Sequence, residues 1–332
     1  MHFLTQNATD PYFNMAFDEF CLESLDFPEP VFYLWQNAPA VIIGLNQSAY
    51  AEVNLPYLQE KGIQLVRRVT GGGAVYHDLG NLNYTIMGRS ADLQADYPGY
   101  LLYMRDSLRA LGVPVSVSGR NDILLDGRKC SGYAKRVYKD RLMVHGTLMY
   151  DVDLEEMTRA LNVPGSKMAA GGIASVRSKV VNLKDSLPGL PDLAAFRSRL
   201  QDMLRQGDAE VFLTAEQLSA VADLAQTKFR RWEWNLGRSP KTDFSESRRF
   251  PCGTVTVSYS VVKGCLADVS VGGDFIGDLP AEPLVKSLDG CPFRRADLRE
   301  RLAEAARRGI GVERCFDALS PEDFLSLLPS LS

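Results

Sequence analysis

The sequence RRVTGGGAVYHDLGN, from Arg67 to Asn81, places three consecutive glycines between two short segments that are typical of β-strands. Leu65-Val66 precede the stretch, and Ala74-Val75-Tyr76 follow the glycines. A flexible linker would lie among serine, glycine and charged residues. Glycine between strands instead indicates a turn, or a backbone that a ligand approaches closely. We therefore interpret the stretch as either a binding loop or a structural turn.

The chemistry of this stretch suits an anion. Successive backbone N–H groups can form a concave anion site, and Arg67 and Arg68 add planar donors that match phosphate or carboxylate. The stretch is not a Walker A loop, because no Gly-Lys-Ser/Thr follows the glycines. It is not a dinucleotide fingerprint either, because the helical pattern that should follow is missing.

A second stretch, GRNDILLDGRKCSGYAKRVYKDRLMVHGTLMY from Gly119 to Tyr150, is rich in basic side chains. A run of charges is usually a solvated surface. Here the charges alternate with small residues and end in an apolar strand, which favours a loop folded over an anion. Asp122 could bind a metal ion or a ribose. The basic residues are Lys129, Lys135, Arg136, Lys139 and Arg141.

Composition limits the class of protein. The 332 residues are 45% hydrophobic and 23% charged, as in a globular chain with a core, and the net charge of −4 argues against nucleic acid as a partner. We expect neither a signal peptide nor a membrane span. The six cysteines are scattered and the histidines number only three, so we predict reduced thiols, a cytoplasmic location and no zinc cluster.

The order of the predicted elements favours an α+β fold over a doubly wound sheet. β-like runs dominate the first half, and a helix is predicted from Tyr100 to Leu111. Asp126-Gly127 is a strong hairpin-turn signal. A new strand pair is predicted at Thr254–Val262 and Leu266–Val271. We place a domain boundary near residue 245.

These motifs resemble those of the lipoate–protein ligase A family, in the family's order and over nearly the whole chain. The motifs are DPYFNMAFDE, RRVTGGGAVYHDLGN, GRNDILLDGRKCSGYAKRVYKDR, HGTLMY, GIASVRSKVVNL and WEWNLGRSP. The resemblance implies a catalytic domain of the class II synthetase and biotin–lipoate ligase type at residues 1–245. It also implies a small C-terminal α/β accessory domain at 246–332.

The resemblance further implies a two-step reaction. ATP and lipoate, with Mg²⁺, give lipoyl-AMP, and the lipoyl group then passes to a lysine of an acceptor protein. The acceptors in the family are the lipoyl domains of 2-oxo-acid dehydrogenase complexes and the glycine-cleavage H protein. Neither nucleic acid nor membrane is implied as a partner.

Site residues follow from the same resemblance. Lys139 is the implied catalytic lysine, which touches both the lipoyl carbonyl and the phosphate, and Asp122 is a candidate Mg²⁺ ligand. For Phe17 and Phe20 a place in the ordinary core stays open, and for His145 a satisfied strand histidine. The implied ATP or lipoyl-adenylate contacts are Arg68, Gly72, Gly73, Ala74, Val75, Tyr76, Asn81, Asn121, Asp122 and Lys139. The implied lipoyl pocket comprises Phe17, Phe20, Thr70 and His145.

Three rival functions stay open at this point. An octanoyl or lipoyl transferase of the same fold would use a cysteine thiolate, but the place where related enzymes carry it reads Val117-Ser118-Gly119-Arg120. Cys130 is expected to be a buried small side chain. The ligase is therefore favoured. The other rivals are a non-catalytic lipoyl-domain binder and a biotin ligase.

Overall fold

The computed structural model describes residues 2–25, 30–118, 122–161, 179–187, 189, 192–205, 209–239, 242–273, 275 and 277–329. Contacts divide the chain into two compact units. The first comprises Met1–Leu45 and Ile63–Arg231, and the second comprises Asn46–Gly62 and Trp232–Ser332. The division at residue 245 stays a prediction; the contacts separate the units at Trp232 and assign Asn46–Gly62 to the second one.

Strands and helices alternate irregularly along the chain. The strands of the first unit are β1 (His2–Leu4), β2 (Val31–Trp35), β3 (Ala40–Ile43), β4 (Gln64–Arg67), β5 (Val75–His77), β6 (Asn81–Arg89), β7 (Ser116–Ser118), β8 (Asp122–Leu125), β9 (Arg128–Tyr138), β10 (Arg141–Met149) and β11 (Glu210–Val211). Those of the second unit are β12 (Thr242–Phe250), β13 (Gly253–Val262) and β14 (Cys265–Gly273). The helices of the chain are α1 (Pro11–Ser24), α2 (Ala49–Glu52), α3 (Leu55–Lys61), α4 (Ser90–Ala110), α5 (Leu154–Ala160), α6 (Leu193–Arg205), α7 (Ala215–Leu224), α8 (Trp232–Asn235), α9 (Glu282–Lys286), α10 (Arg295–Arg307), α11 (Val312–Cys315) and α12 (Pro321–Leu325).

Two sheets build the first unit. The larger one has the order β11-β1-β2-β6-β10-β9-β8-β7, and the smaller one has the order β4-β3-β5. In the small sheet β4 runs parallel to β3 and β5 runs antiparallel to it. Residues 68–74, called the glycine stretch below, connect β4 to β5. The three glycines therefore lie between strands, as the sequence predicts.

Apolar side chains from the large sheet and from α4 and α6 form one buried cluster. Along α4 the buried positions Leu101, Met104 and Leu108 recur at helical spacing, as predicted. The predicted start of this helix at Tyr100 is wrong, because α4 begins at Ser90. The segment SADLQADYPG carries Pro98 and Gly99 and no apolar stripe, so periodicity alone could not detect it.

The hairpin turn at Asp126-Gly127 is confirmed. Asp126 has φ 50° and Gly127 has φ 74°, both in the left-handed region that a two-residue hairpin turn of type I′ requires. The loop predicted after this turn is wrong, because the basic stretch forms the long strand β9 and, after one further turn, β10. Pairing with β8 on one side and β10 on the other keeps this polar segment extended.

The second unit holds an antiparallel sheet in the order β12-β13-β14. The predicted pairing of β13 with β14 is confirmed. Aromatic rings form part of its core, with the Phe293 ring 5.4 Å from both Tyr50 and Tyr259. Tyr50 thus ties α2, which is remote in sequence, to this unit.

Gly264 in the turn between β13 and β14 cannot accept a side chain. Its φ is 77°, and a Cβ atom would lie 2.6 Å from the Trp232 ring. We expect Gly264→Ala to lower the free energy of unfolding of the second unit by about 1–3 kcal/mol, as overpacking does, in urea denaturation followed by fluorescence. Gly272→Ala is the control, because its Cβ would meet nothing within 4 Å. Equal stability of the two variants would contradict this packing argument.

Candidate active site

A cavity of about 180 Å³ opens in the first unit beside the glycine stretch. Its apolar walls come from α1, β2, β3 and β5, and its polar walls come from the glycine stretch, β6, β9 and β10. The lining residues are Met15, Trp35, Ile42, Arg68, Gly72, Gly73, Ala74, Val75, His77, Asn83, Lys129, Gly132, Tyr133, Ala134, His145, Gly146 and Thr147.

The Arg68 side chain lies within the loop of the glycine stretch and forms hydrogen bonds to it. Its guanidinium donates to the carbonyl oxygens of Ile42 at 3.1 Å, Gly71 at 2.6 Å and Gly73 at 2.8 Å, and its Nε donates to Thr70 Oγ1 at 2.9 Å. Burial lowers the pKa of Arg68 to about 10, so the group stays charged at neutral pH. The side chain therefore fixes the loop while adding positive charge to the cavity.

The three glycines differ in whether the surrounding structure would accommodate a side chain. Gly72 has φ 93°, and a Cβ there would lie 2.8 Å from Arg68 Nη2, so this position needs glycine to let the loop fold around the arginine. At Gly71 and Gly73 a Cβ would meet nothing within 4 Å. Their backbone is therefore open to an approaching group. The structural alternative therefore applies at Gly72, and a binding role of Gly71 and Gly73 stays a prediction.

Arg67 contributes to structure rather than to the cavity. Its side chain is fully buried and donates from Nη1 to the carbonyl oxygens of Gly44 at 3.0 Å and Leu45 at 3.2 Å. The expectation that it offers donors to an anion is therefore wrong for this arrangement, because its side chain points into the protein.

A buried polar chain leads from the glycine stretch to α1. Thr70 Oγ1 lies 2.7 Å from His145 Nε2, and His145 Nδ1 lies 2.7 Å from Asp18 Oδ2. The other carboxylate oxygen of Asp18 accepts from the hydroxyls of Tyr33 and Thr85. His145 is thus a satisfied strand histidine that also lines the cavity, whereas Thr70 lies behind the wall, 1% exposed.

His77 is the second histidine of the cavity and is neutral. Burial lowers its pKa to about 3, and the charge of Arg68 and the proximity of His145 act in the same direction. Its Nδ1 lies 3.0 Å from the Asn37 amide nitrogen, which fixes the ring. His77 therefore adds a polar edge to the cavity without adding charge.

Lys129, not Lys139, is the lysine that lines this cavity. Lys129 Nζ lies 2.8 Å from Asp122 Oδ1. Lys139 lies in the turn between β9 and β10, with φ 53°, exposed to solvent and with Nζ 5.1 Å from the centre of the Tyr138 ring. Because a strand rises about 3.3 Å per residue, the two lysines stand about 30 Å apart at opposite ends of β9. Lys139 therefore does not line this cavity, and its assignment as the catalytic lysine stays a prediction.

The other predicted contacts separate into those at the cavity and those behind it. Gly72, Gly73, Ala74 and Val75 line it. Tyr76 is buried next to the wall, and Asn81 is buried and donates to Asn83 Oδ1 at 2.8 Å. Asp122 reaches the cavity through its ion pair with Lys129. Asn121 lies outside the described residues.

The predicted apolar pocket is assigned to different residues by the structure. Phe17 is fully buried and packs edge-to-face on Tyr33 at 5.3 Å, so its place is in the core. Phe20 is half-buried on α1 and does not line the cavity. Met15, Trp35, Ile42 and Val75 form the apolar wall instead. Met15 lies on the same helix, two residues from Phe17 and five residues from Phe20.

Potential metal ligands and cysteine thiols occur among the described residues. Within residues 2–329, apart from the gaps given above, no three histidine, cysteine, aspartate or glutamate side chains converge on a common metal position. All six cysteines are free thiols. In the parts of the chain that the structure describes, no helix combines the length and the apolar character that crossing a bilayer demands.

Family models match both units. The lipoyl protein ligase A/B catalytic domain matches residues 10–205, and the bacterial lipoate protein ligase C-terminus matches residues 239–328. Lipoate-protein ligase LplJ of Bacillus subtilis (strain 168) is 35% identical over 329 residues, which are 97% of this chain and 98% of that protein.

Solved structures agree with these matches. A bipartite lipoate protein ligase from Thermoplasma acidophilum, described together with its E2 lipoyl domain, is 28% identical with a TM-score of 0.65, over 73% of this chain and 98% of that chain. A lipoate-protein ligase A bound with ATP is 28% identical with a TM-score of 0.63, over 71% and 98% of the two chains. The predicted α+β fold of this class is confirmed.

Proposed function

This chain belongs to the lipoate–protein ligase family and is a ligase, and we propose how its cavity performs the reaction. Lipoate and ATP form lipoyl-AMP and pyrophosphate, and the lipoyl group then forms an amide with a lysine of an acceptor protein. The observation that supports this assignment most is the convergence of Lys129, the open backbone of the glycine stretch and an apolar wall on one cavity.

Adenylate formation brings two anions together. The lipoate carboxylate must attack the α-phosphate of ATP, so fixed positive charge has to offset their repulsion and stabilise the charge of the transition state. Lys129 supplies an ammonium in the cavity, and Arg68 supplies a buried guanidinium behind the glycine stretch. The N–H groups of the open glycines can approach phosphate oxygens closely. In this proposal Lys129 takes the role that the sequence assigned to Lys139.

The lipoyl tail is apolar and needs a slot free of charge. Met15, Trp35, Ile42 and Val75 supply apolar lining residues of this cavity. In this proposal the lipoyl tail packs against these side chains, and the carboxylate head lies near Lys129 and the glycine stretch.

The proposal also includes the acceptor proteins, the metal ion and the cellular location. The acceptors are lipoyl domains of 2-oxo-acid dehydrogenase complexes and the glycine-cleavage H protein; the Thermoplasma ligase described with its E2 lipoyl domain supports the first of these. Mg²⁺ would enter with the phosphates of ATP and keep most of its water ligands, with Asp122, the ion-pair partner of Lys129, as a candidate carboxylate. The six free thiols agree with a cytoplasmic location.

Cys130 is expected to be dispensable. It is fully buried, its Sγ lies 3.4 Å from the Ile123 carbonyl oxygen, and burial raises its pKa to about 12. The thiolate that acyl-enzyme chemistry needs is therefore absent at neutral pH. We expect Cys130→Ser to keep the rate of ligation within about twofold, since an isolated change away from the reacting groups has little effect on chemistry. An acyl group found on Cys130 by mass spectrometry would instead favour a thioester transferase.

The direct test is the intact mass of an apo lipoyl domain incubated with this protein, lipoate and Mg-ATP. A mass gain of one lipoyl group that requires ATP supports the ligase. Transfer from an octanoyl-carrier protein without ATP would move the chain to the transferase class. Binding of the lipoyl domain without any mass gain would indicate a non-catalytic binder, and a gain with biotin instead of lipoate would indicate a biotin ligase.

A further inference from the structure

An irregularity in the pairing of β8 with β9 decides which face of the sheet carries Lys129. Asp122 of β8 pairs with Gly132 of β9. Two residues further along β8, Leu124 pairs with Lys129, which lies three residues before Gly132 in β9. The register skips Cys130, so this segment of β9 holds one extra residue, as in a β-bulge. Because side chains alternate along a strand, the bulge moves Lys129 to the face that carries Asp122 and position 132.

The backbone of Lys129 is fixed from both sides. On one side it pairs with Leu124 of β8. On the other side its N–H donates to the Lys179 carbonyl oxygen at 2.8 Å, and its carbonyl oxygen accepts from the N–H of Val181 at 3.0 Å. These two residues belong to the GIASVRSKVVNL motif. With the backbone held in this way, the position of the ammonium depends on the side-chain torsions of Lys129.

Gly132 leaves open the space in which the end of the Lys129 side chain lies. A Cβ atom at position 132 would lie 2.6 Å from both Cε and Nζ of Lys129, and 3.7 Å from Asp122 Oδ1. Non-bonded carbon atoms are in favourable contact at about 3.5–4.0 Å. A methyl group at position 132 would therefore have to displace the ammonium by about 1 Å or more, away from its present position 2.8 Å from Asp122 Oδ1.

The backbone of Gly132 does not itself require a glycine. Its φ lies outside the left-handed region that favours glycine. The three atoms nearest to a Cβ at this position all belong to side chains, and two of them are the flexible end of Lys129. An alanine should therefore fit the strand and act mainly on the position of the ammonium.

We propose that Gly132 is a positioning residue for Lys129, because its missing side chain leaves the space that the Lys129 ammonium occupies in the cavity. This inference rests on the proposed role of Lys129 in lipoyl-AMP formation. The ammonium has to face the lipoate carboxylate and the α-phosphate while they react, and a misplacement of about 1 Å can cost about 10²-fold in rate. Gly132 acts through Lys129 and contributes no reacting group of its own.

The first test is a double-mutant cycle in the full-length protein, measured as pyrophosphate release with lipoate and Mg-ATP. We expect Gly132→Ala to reduce this rate about 100-fold. In a Lys129→Ala background the same substitution should change the rate by less than about twofold, because the truncated side chain leaves room for the methyl group.

Gly189→Ala is the matched control for the added methyl group. Gly189 is exposed, and a Cβ atom there would meet nothing within 4 Å. Its rate of pyrophosphate release should stay within about twofold of that of the unmodified chain, as for other surface substitutions.

A second readout follows Lys129 directly and needs no ligase activity. Acetic anhydride reacts with uncharged amines, and peptide mass spectrometry reports each lysine separately. The carboxylate of Asp122 favours the charged form of the ammonium next to it. Loss of this partly exposed ion pair should make acetylation of Lys129 about two- to fivefold faster in Gly132→Ala. The exposed Lys139 is the internal reference and should react at the same rate in both proteins.

Four outcomes would overturn the role of Gly132. These are a near-normal rate in Gly132→Ala, an equal loss in the Lys129→Ala background, unchanged acetylation of Lys129, and failure of Gly132→Ala to fold. An equal loss in that background would mean that the methyl group obstructs the ligand or distorts the strand. The proposed function fails separately. An unmodified chain that releases no pyrophosphate contradicts the ligase, whereas acetylation still tests the position of Lys129.

Discussion

Lys129→Ala is expected to reduce lipoyl-AMP formation by about 10²–10³-fold, the range found when one preorganised charge or donor is removed from a transition state. Lys129 is the lysine that lines the cavity of the first unit. Its loss leaves the lipoate carboxylate and the ATP phosphate without that ammonium. The measurement is pyrophosphate release with lipoate and Mg-ATP, with lipoyl transfer followed by intact mass.

Lys139→Ala is the matched control for this prediction. Lys139 stands at the other end of the same strand, on the solvent side of a turn, and we expect its removal to change the rate by less than about twofold, as for other surface substitutions. The ion pair of Lys129 with Asp122 is partly exposed, with side chains 41% and 34% accessible. Its loss should therefore change stability by less than about 1 kcal/mol. A stable, active Lys129→Ala beside an inactive Lys139→Ala would reverse the assignment.

The different positions of Lys129 and Lys139 show what the sequence alone could not predict. Both lie in one basic stretch, and composition treats them alike. Only the pairing of β8 with β9, which sets Asp122 opposite Gly132, brings Lys129 to the cavity. That register comes from long-range pairing. A local pattern does not contain it.

The sequence predicted other features of the site only in part. The three glycines predicted a turn or a backbone that a ligand approaches closely, and their position between two strands is confirmed. What the sequence could not show is that Arg68 fills the inside of that loop, because the carbonyl acceptors come from Ile42 as well as from the glycines. Asp18 was also missed, since a single aspartate on an amphipathic helix gives no signal until the helix is packed on the sheet.

The second unit illustrates the same limit. Its strands were predicted from alternation, and the pairing of β13 with β14 is confirmed. Asn46–Gly62 joins this unit through contacts such as the Tyr50 ring on Phe293. A boundary drawn once along the chain cannot represent a unit that is built from two separate segments.

Arg68→Ala is expected to disorder the glycine stretch and to remove ATP binding. Three carbonyl oxygens, of Ile42, Gly71 and Gly73, lose their donors. The Ile42 carbonyl oxygen is buried and would be left without this donor, which costs about 1–3 kcal/mol; with the two partly exposed glycine carbonyls, a local loss of about 3 kcal/mol is expected. Arg68→Lys keeps the charge but not the planar fork, and its loss should be intermediate.

Hydrogen–deuterium exchange gives the measurement with an internal reference. Peptides covering Val69–Ala74 should exchange faster in Arg68→Ala by about two orders of magnitude or more, since 1.4 kcal/mol corresponds to a factor of ten. Peptides from β13 and β14, in the second unit, should exchange at the unmodified rate. Arg199→Ala, which removes an exposed arginine from α6, should change neither set. Normal protection of Val69–Ala74 in Arg68→Ala would mean that the backbone holds the loop without the guanidinium, and the fall in ATP affinity would then have to come from lost charge alone.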